Sequence, residues 1–146
     1  MTGRHSTCLI LMFAVVLPGT VALTQEATPS VKRVPAENTS PSSGKEMFAS
    51  YCASCHGKDA KGGGPAAASL KQQPADLTTL AKRNGGKFPS DKVTAVLRGQ
   101  ANLTVHGDQE MPVWGPVFWK MSQGREEVVH MRVANLSKYL ESLQEK

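Results

Sequence analysis

The sequence predicts an all-α domain whose helices are joined by long loops, on three observations. Residues 125–144 place Val129, Val133, Leu136, Leu140 and Leu143 at helical spacing, the signature of a helix with one apolar face. No segment alternates apolar and polar side chains as a half-buried strand would. Glycine and proline cluster at 57–65 and recur through 100–124, where neither helix nor strand is expected to persist. A length of 146 residues suits one compact domain with short additions.

In chain order, the first element is Met1-Thr2-Gly3-Arg4-His5 followed by an apolar run from Cys8 to Leu17 and the breaker Pro18-Gly19. A basic start, a short apolar stretch and a breaker read as a secretory signal peptide over 1–22, with cleavage near Ala22. An uncleaved anchor is the alternative, but the run is about half the ~20 residues that a spanning helix needs. Cys8 precedes the run, whereas a lipid-accepting cysteine would follow it, so Cys8 is expected to leave with the signal. Residues 23–42 are mostly Thr, Pro, Ser, Glu and Asn; so few aliphatics cannot drive burial, and a flexible leader is expected.

The folded domain is expected over 43–146. Ser42 or Ser43 caps its first helix, Glu46 sits in the first turn, and Gly44, Phe48 and Tyr51 share a face that leads to Cys52. Residues 57–65 form a loop. The run Pro74 to Leu80 begins a short helix that ends at Asn84-Gly85-Gly86. Another, capped by Ser90-Asp91, runs through Val93, Val96 and Leu97 and stops at Gly99. Residues 100–124 are expected to be irregular although they hold Met111, Trp114, Phe118 and Trp119, apolar groups that need something to pack against. The helix over 125–144 closes the domain.

The chemistry centres on Cys52-Ala53-Ser54-Cys55-His56. With Cys8 gone two cysteines remain, whereas structural disulfides in small exported domains come in larger even sets. C-x-x-C-H is the attachment signature for a c-type haem: two thiols on one turn add to the haem vinyl groups while the next imidazole reaches the iron. A thioredoxin-like pair would want a βαβ setting and a zinc site a second ligand pair; both are missing. One covalent haem c is therefore expected on Cys52 and Cys55, with His56 as an iron ligand.

The sixth iron position separates electron transfer from ligand chemistry. Met47 lies on the helix leading into the motif, His130 lies off the apolar stripe of the last helix, and Met121 and Met131 read as packing residues. Met111 stands in a loop far enough along the chain to come round the other haem face, and Pro112 biases it toward an extended conformation. Met111 is the expected ligand and His106 the alternative. Trp114 or Arg98 is a candidate donor to a haem propionate, since a buried carboxylate needs a partner; ordinary packing or exposure is the competing role of each.

Over about 43–143 the chain resembles a bacterial class I, monohaem c-type cytochrome. The likeness rests on Cys52-Ala53-Ser54-Cys55-His56-Gly57, on Met111-Pro112, and on Gly44 with Phe48, which in that family cross the C-terminal helix, here at Leu136 and Tyr139. It implies the cytochrome c-like fold, three to five helices with long loops wrapped around one haem. It also implies that the carbonyl of a proline after the motif accepts a hydrogen bond from the ligand histidine, and Pro65 is the match.

These readings lead to a periplasmic electron carrier cycling Fe(II) and Fe(III) under His56 and Met111 ligation. The alternatives are a haem-containing subunit of a larger oxidoreductase and a haem-based small-ligand sensor. No triad, paired carboxylates or phosphate loop points to an enzyme acting alone. The formal charge of +5 is scattered along the chain, which does not suggest nucleic acid. Redox partner proteins with acidic docking surfaces fit better, including a membrane-associated respiratory or dehydrogenase complex. Lys45, Lys58, Lys61, Lys71 and Lys87 are the candidates to ring the haem edge, with solubilising lysines as the plain alternative.

Overall fold

A computed structural model describes residues 36–101 and 111–145. The signal segment 1–22, the leader up to 35 and His106 lie outside the described residues. Among those described there is no strand, and no helix is long and apolar enough to cross a membrane. The helices are α1 (Gly44–Met47), a π-helical turn (Phe48–Cys52), α2 (Ala53–His56), α3 (Leu80–Arg83), α4 (Ser90–Arg98), α5 (Trp114–Met121) and α6 (Glu126–Ser142), with a 3-10 turn at Ala67–Ser69. Since α1, the π turn and α2 run on without a break, the described residues form five helical runs, an all-α fold of the expected kind.

Ser43 caps α1 as predicted, its hydroxyl accepting from the Glu46 N–H at 3.2 Å. The π turn, in which the Ala53 N–H bonds the Phe48 carbonyl, inserts one residue and so changes the phase of everything after it. Such insertions concentrate at functional sites, and here the residues re-aimed are the two cysteines and His56. The first helix crosses α6 at Gly44, where a Cβ would lie 2.7 Å from the Tyr139 Cβ and still closer to the Asn135 carbonyl oxygen. Phe48 meets Tyr139 with ring centroids 5.5 Å apart. The expected crossing is thus present, and α4 and α5 also pack on α6 to close the core. The face of α6 that they share buries Val129, Val133, Leu136 and Leu140.

Four expectations need correction. Residues 36–42 do not all belong to a flexible leader, because 37–41 are tied to the domain. Thr39 is buried with its hydroxyl 2.7 Å from the Tyr51 hydroxyl; Tyr51 donates to the Glu37 carbonyl, and Asn135 donates to the Pro41 carbonyl. The segment has almost no apolar surface to bury, but it satisfies polar groups of the first and last helices that would otherwise be orphaned. The helix expected to open with the run Pro74 to Leu80 starts only at its last residue, Leu80, because the Asp76 carboxylate takes the Thr78 N–H and hydroxyl at 2.8 and 2.6 Å, a local turn that competes with helix.

Within the expected irregular stretch, 114–121 is helical. Pro116 is its third residue, where an N–H would have no intrahelical acceptor, so the proline breaks nothing. The helix buries Trp114 and Phe118, one turn apart, and leaves Trp119 half exposed. Met131, read as a packing residue, is also exposed, at 45%, on the outer face of α6.

The chain end is fastened by Gln144. Its amide accepts from the Ala81 N–H at 2.8 Å and donates to the Leu77 and Leu140 carbonyls at 2.8 and 2.7 Å. Truncation in Gln144→Ala leaves part-buried backbone groups unpaired and is expected to destabilise the fold by roughly 2 kcal/mol, read as a lower thermal midpoint. An unchanged midpoint would mean that water replaces all three bonds.

Candidate functional site

The two cysteines and His56 come from the last turn of the first helical run, which Gly57 ends with φ of 80°. The loop that follows closes against this terminus. Gly62 N–H bonds the His56 carbonyl at 2.7 Å, Gly64 N–H that of Cys55 at 3.0 Å, and Ala66 N–H that of Ser54 at 2.8 Å, so the orphan carbonyls of the helix end are met by loop amides. The approach is close enough to require glycine at 64, where a Cβ would run into the Ser54 carbonyl.

This closure explains why Pro65 is not the histidine's acceptor. Pro65 is held at the helix terminus and is exposed, and it does not line the cavity described below. His56 Nδ1 instead lies 2.9 Å from the Ala75 carbonyl oxygen. A carbonyl only accepts, so Nδ1 carries the proton and Nε2 keeps its lone pair. Burial lowers the His56 pKa below its ordinary 6.5, against a smaller raising effect of the Ala75 bond; the neutral imidazole is the favoured form. Pro74, next in line after Pro65, introduces the segment that carries the acceptor.

Around these groups lies a cavity of about 390 Å³. Cys52, Cys55 and His56 form one part of its wall, and Met111, Pro112 and Trp114 come to it from the far side of the sequence. Leu70, Leu77 and Leu80 contribute from the loop and α3, Val93, Val96 and Leu97 from α4, and Leu140 from α6. Tyr51 completes the wall and stacks on Trp114, ring centroids 5.1 Å apart. Arg83, Asn84 and Lys92 supply polar donors among these apolar groups.

The donor set fits a haem c. Burial, and secondarily the neighbouring Cys55, pushes the Cys52 thiol up to about 12, so it resists forming the thiolate that zinc binding or disulfide exchange requires. A thioether has no charge to desolvate and suits the same position. Among the described residues no cluster of three or more His, Cys, Asp or Glu is placed to hold a metal, so imidazole and thioether are the ligand types that the cavity offers. Cys52 and Cys55 would carry the group, His56 Nε2 and the Met111 sulfur would face its iron, and Arg83, Asn84 and Lys92 would meet its carboxylates.

Of the residues predicted from sequence, Cys52, Cys55, His56, Met111 and Trp114 are brought together and Pro65 is not. Arg98 is turned away from the cavity and pairs with Glu126 at 3.0 Å. None of the five lysines lines the cavity, and Lys61 pairs with Glu145 at 3.1 Å; the cations that do are Arg83 and Lys92. His130 is exposed beside Glu126, as its spacing predicts. Sequence reasoning missed the Ala75 carbonyl, whose signal was the proline before it, and Tyr51, which serves both the helix face and the cavity wall.

A family model described as "Cytochrome C oxidase, cbb3-type, subunit III" matches residues 39–129. No curated protein and no solved structure matches the chain.

Proposed function

The chain belongs to the cbb3-type cytochrome c family, whose domain carries one covalent haem c and transfers electrons, and from that premise we propose that it is an exported electron carrier with its iron held by His56 and Met111. One observation carries this reading: a single, largely apolar cavity gathers two thiols, an imidazole with its Nε2 lone pair free, and a thioether. Bound there, the haem supplies a one-electron couple. The Ala75 carbonyl orients His56 and makes it more electron-donating, while a thioether ligand and apolar walls favour Fe(II).

If His56 and Met111 both hold the iron, no position on it would be left for a substrate, which favours a carrier over an enzyme acting alone. The segment 1–22 supports export, and haem attachment through thioethers accords with a periplasmic location. The formal charge of +5 supports redox partners with acidic docking surfaces.

The family description favours a second reading, in which the domain is the haem subunit of a membrane-associated oxidase or another respiratory or dehydrogenase complex. Spectra of the purified holoprotein, oxidised, reduced and reduced under carbon monoxide, test the carrier reading, and gel filtration of the native preparation separates carrier from subunit. A low-spin spectrum indifferent to carbon monoxide, on a monomer, supports the carrier. Carbon monoxide binding by the wild type moves the reading to a small-ligand sensor, and copurification with a membrane complex moves it to a subunit.

A pH effect follows from His56. Its folded pKa is lowered, so the unfolded chain binds more protons between that value and 6.5. The contribution of the neutral imidazole is complete above pH 6.5 and is lost as pH falls from there through the lowered value. Ligation of Nε2 by iron would add to this preference for the neutral ring, so in an acid titration of the holoprotein the low-spin bands should persist through pH 6.5 and fail only in more acidic solution.

A further inference from the structure

The sharpest unexplained feature lies on α6, behind the cavity. Arg132 is 3% exposed and, among the described residues, makes no ion pair. Its Nη1 donates to the Thr39 hydroxyl at 3.2 Å and its Nη2 to the Asn38 side-chain oxygen at 2.9 Å, both neutral acceptors. Its Nε is buried without a partner. A buried guanidinium normally meets a carboxylate, because desolvating an unpaired charge is costly.

What the charge faces suggests its role. The guanidinium carbon lies 5.9 Å from the centroid of the Phe118 ring. Phe118 in turn lies 5.7 Å from Trp114 and 5.8 Å from Tyr51, and those two rings line the cavity. Two layers of aromatic side chain separate a fixed positive charge from the cavity that would hold the redox centre. Such a charge opposes oxidation, since the oxidised centre carries one more positive charge than the reduced one.

We infer that Arg132 is a positioning residue for electron transfer, whose uncompensated charge, held by Asn38 and Thr39 behind Phe118, raises the reduction potential of the haem. At an effective dielectric of about 20, a unit charge on the order of 12 Å from a redox centre changes the ratio of reduced to oxidised protein about tenfold. This extends the electron-transfer reading and rests on it: tuning the potential sets which donors can reduce the protein.

The test is a redox titration of the holoprotein and four variants. Arg132→Met keeps the bulk and removes the charge, and the reduced-to-oxidised ratio at fixed ambient potential should fall about five- to tenfold, that is by about 40–60 mV. Arg132→Lys retains the charge and should stay within twofold of wild type. Asn38→Ala with Thr39→Val removes both hydrogen bonds but keeps the charge, and should also stay within twofold.

Asn38→Asp leaves Arg132 in place and sets a carboxylate against Nη2; it should move the ratio down by at least twofold, less than Arg132→Met because Asn38 is exposed. The inference is overturned if Arg132→Met holds the wild-type potential, or if the lysine variant or the double variant falls as far as Arg132→Met. Where Arg132→Met takes up no haem, an unmoved potential in Asn38→Asp overturns it instead. A wild-type spectrum without a low-spin iron would remove the carrier reading itself, which an unmoved potential would not.

Discussion

Met111→Ala should convert a low-spin protein that ignores carbon monoxide into one that is high-spin and binds it one to one when reduced. Met111 reaches the cavity from the residues just before α5, and Pro112 beside it and Trp114 at the start of α5 line the same wall. Alanine removes the thioether and leaves that wall in place, because Trp114 is held independently by Tyr51 and Phe118 at 5.1 and 5.7 Å. The loss should therefore be confined to the iron, and far-ultraviolet circular dichroism should stay near wild type. The potential should fall with it, since thioether ligation favours the reduced state. If the variant remains low-spin and closed to carbon monoxide, another side chain is the ligand, and His106→Ala on the Met111→Ala background identifies whether it is the histidine named as the alternative.

What sequence revealed of this site divides along a physical line. Local spacing exposed the cysteines and His56, because the chemistry needs them on one helical turn. The apolar period of α6 and the cap at Ser43 were equally local. The acceptor for His56 was not, since Pro65 and Pro74 both follow the motif and only the path of the chain decides which segment reaches Nδ1. Loop amides bound Pro65 to the helix end, and Ala75 was left to take the bond.

The helix α5 escaped notice because glycine and proline near its start read as breakers, while in a first turn they are harmless. The docked stretch 37–41 looked like a leader because it lacks aliphatics; it is held by polar partners on elements far away in sequence. Arg132 did carry a signal. It stands three residues after Val129 and four before Leu136, a charge at the edge of an apolar stripe.

Gly44→Ala should destabilise the holoprotein by roughly 2 kcal/mol, and Gly44→Val by roughly 3 kcal/mol. The sign is what makes the comparison decisive. In an open helix, replacing glycine by alanine stabilises by up to about 1 kcal/mol, because alanine has less backbone entropy to lose. Here the added carbon meets the Asn135 backbone and the Tyr139 Cβ, closer than 3.0 Å. Neither is the free end of a side chain. Asn135 is fixed in α6 and its amide is bonded to the Pro41 carbonyl at 3.0 Å, so relief requires the helices to move apart. Their separation would reach Phe48 and Tyr139, loosen the turn that presents Cys52, and weaken the site along with the fold. Denaturant melts of the two variants beside Ser43→Ala, which loses only a cap worth about 1 kcal/mol, would distinguish a steric crossing from a general loss of helix. Stabilisation by Gly44→Ala would show that the crossing yields to a methyl group, and the packing that aligns the first and last helices would then have to reside in Phe48, Tyr139 and Leu136.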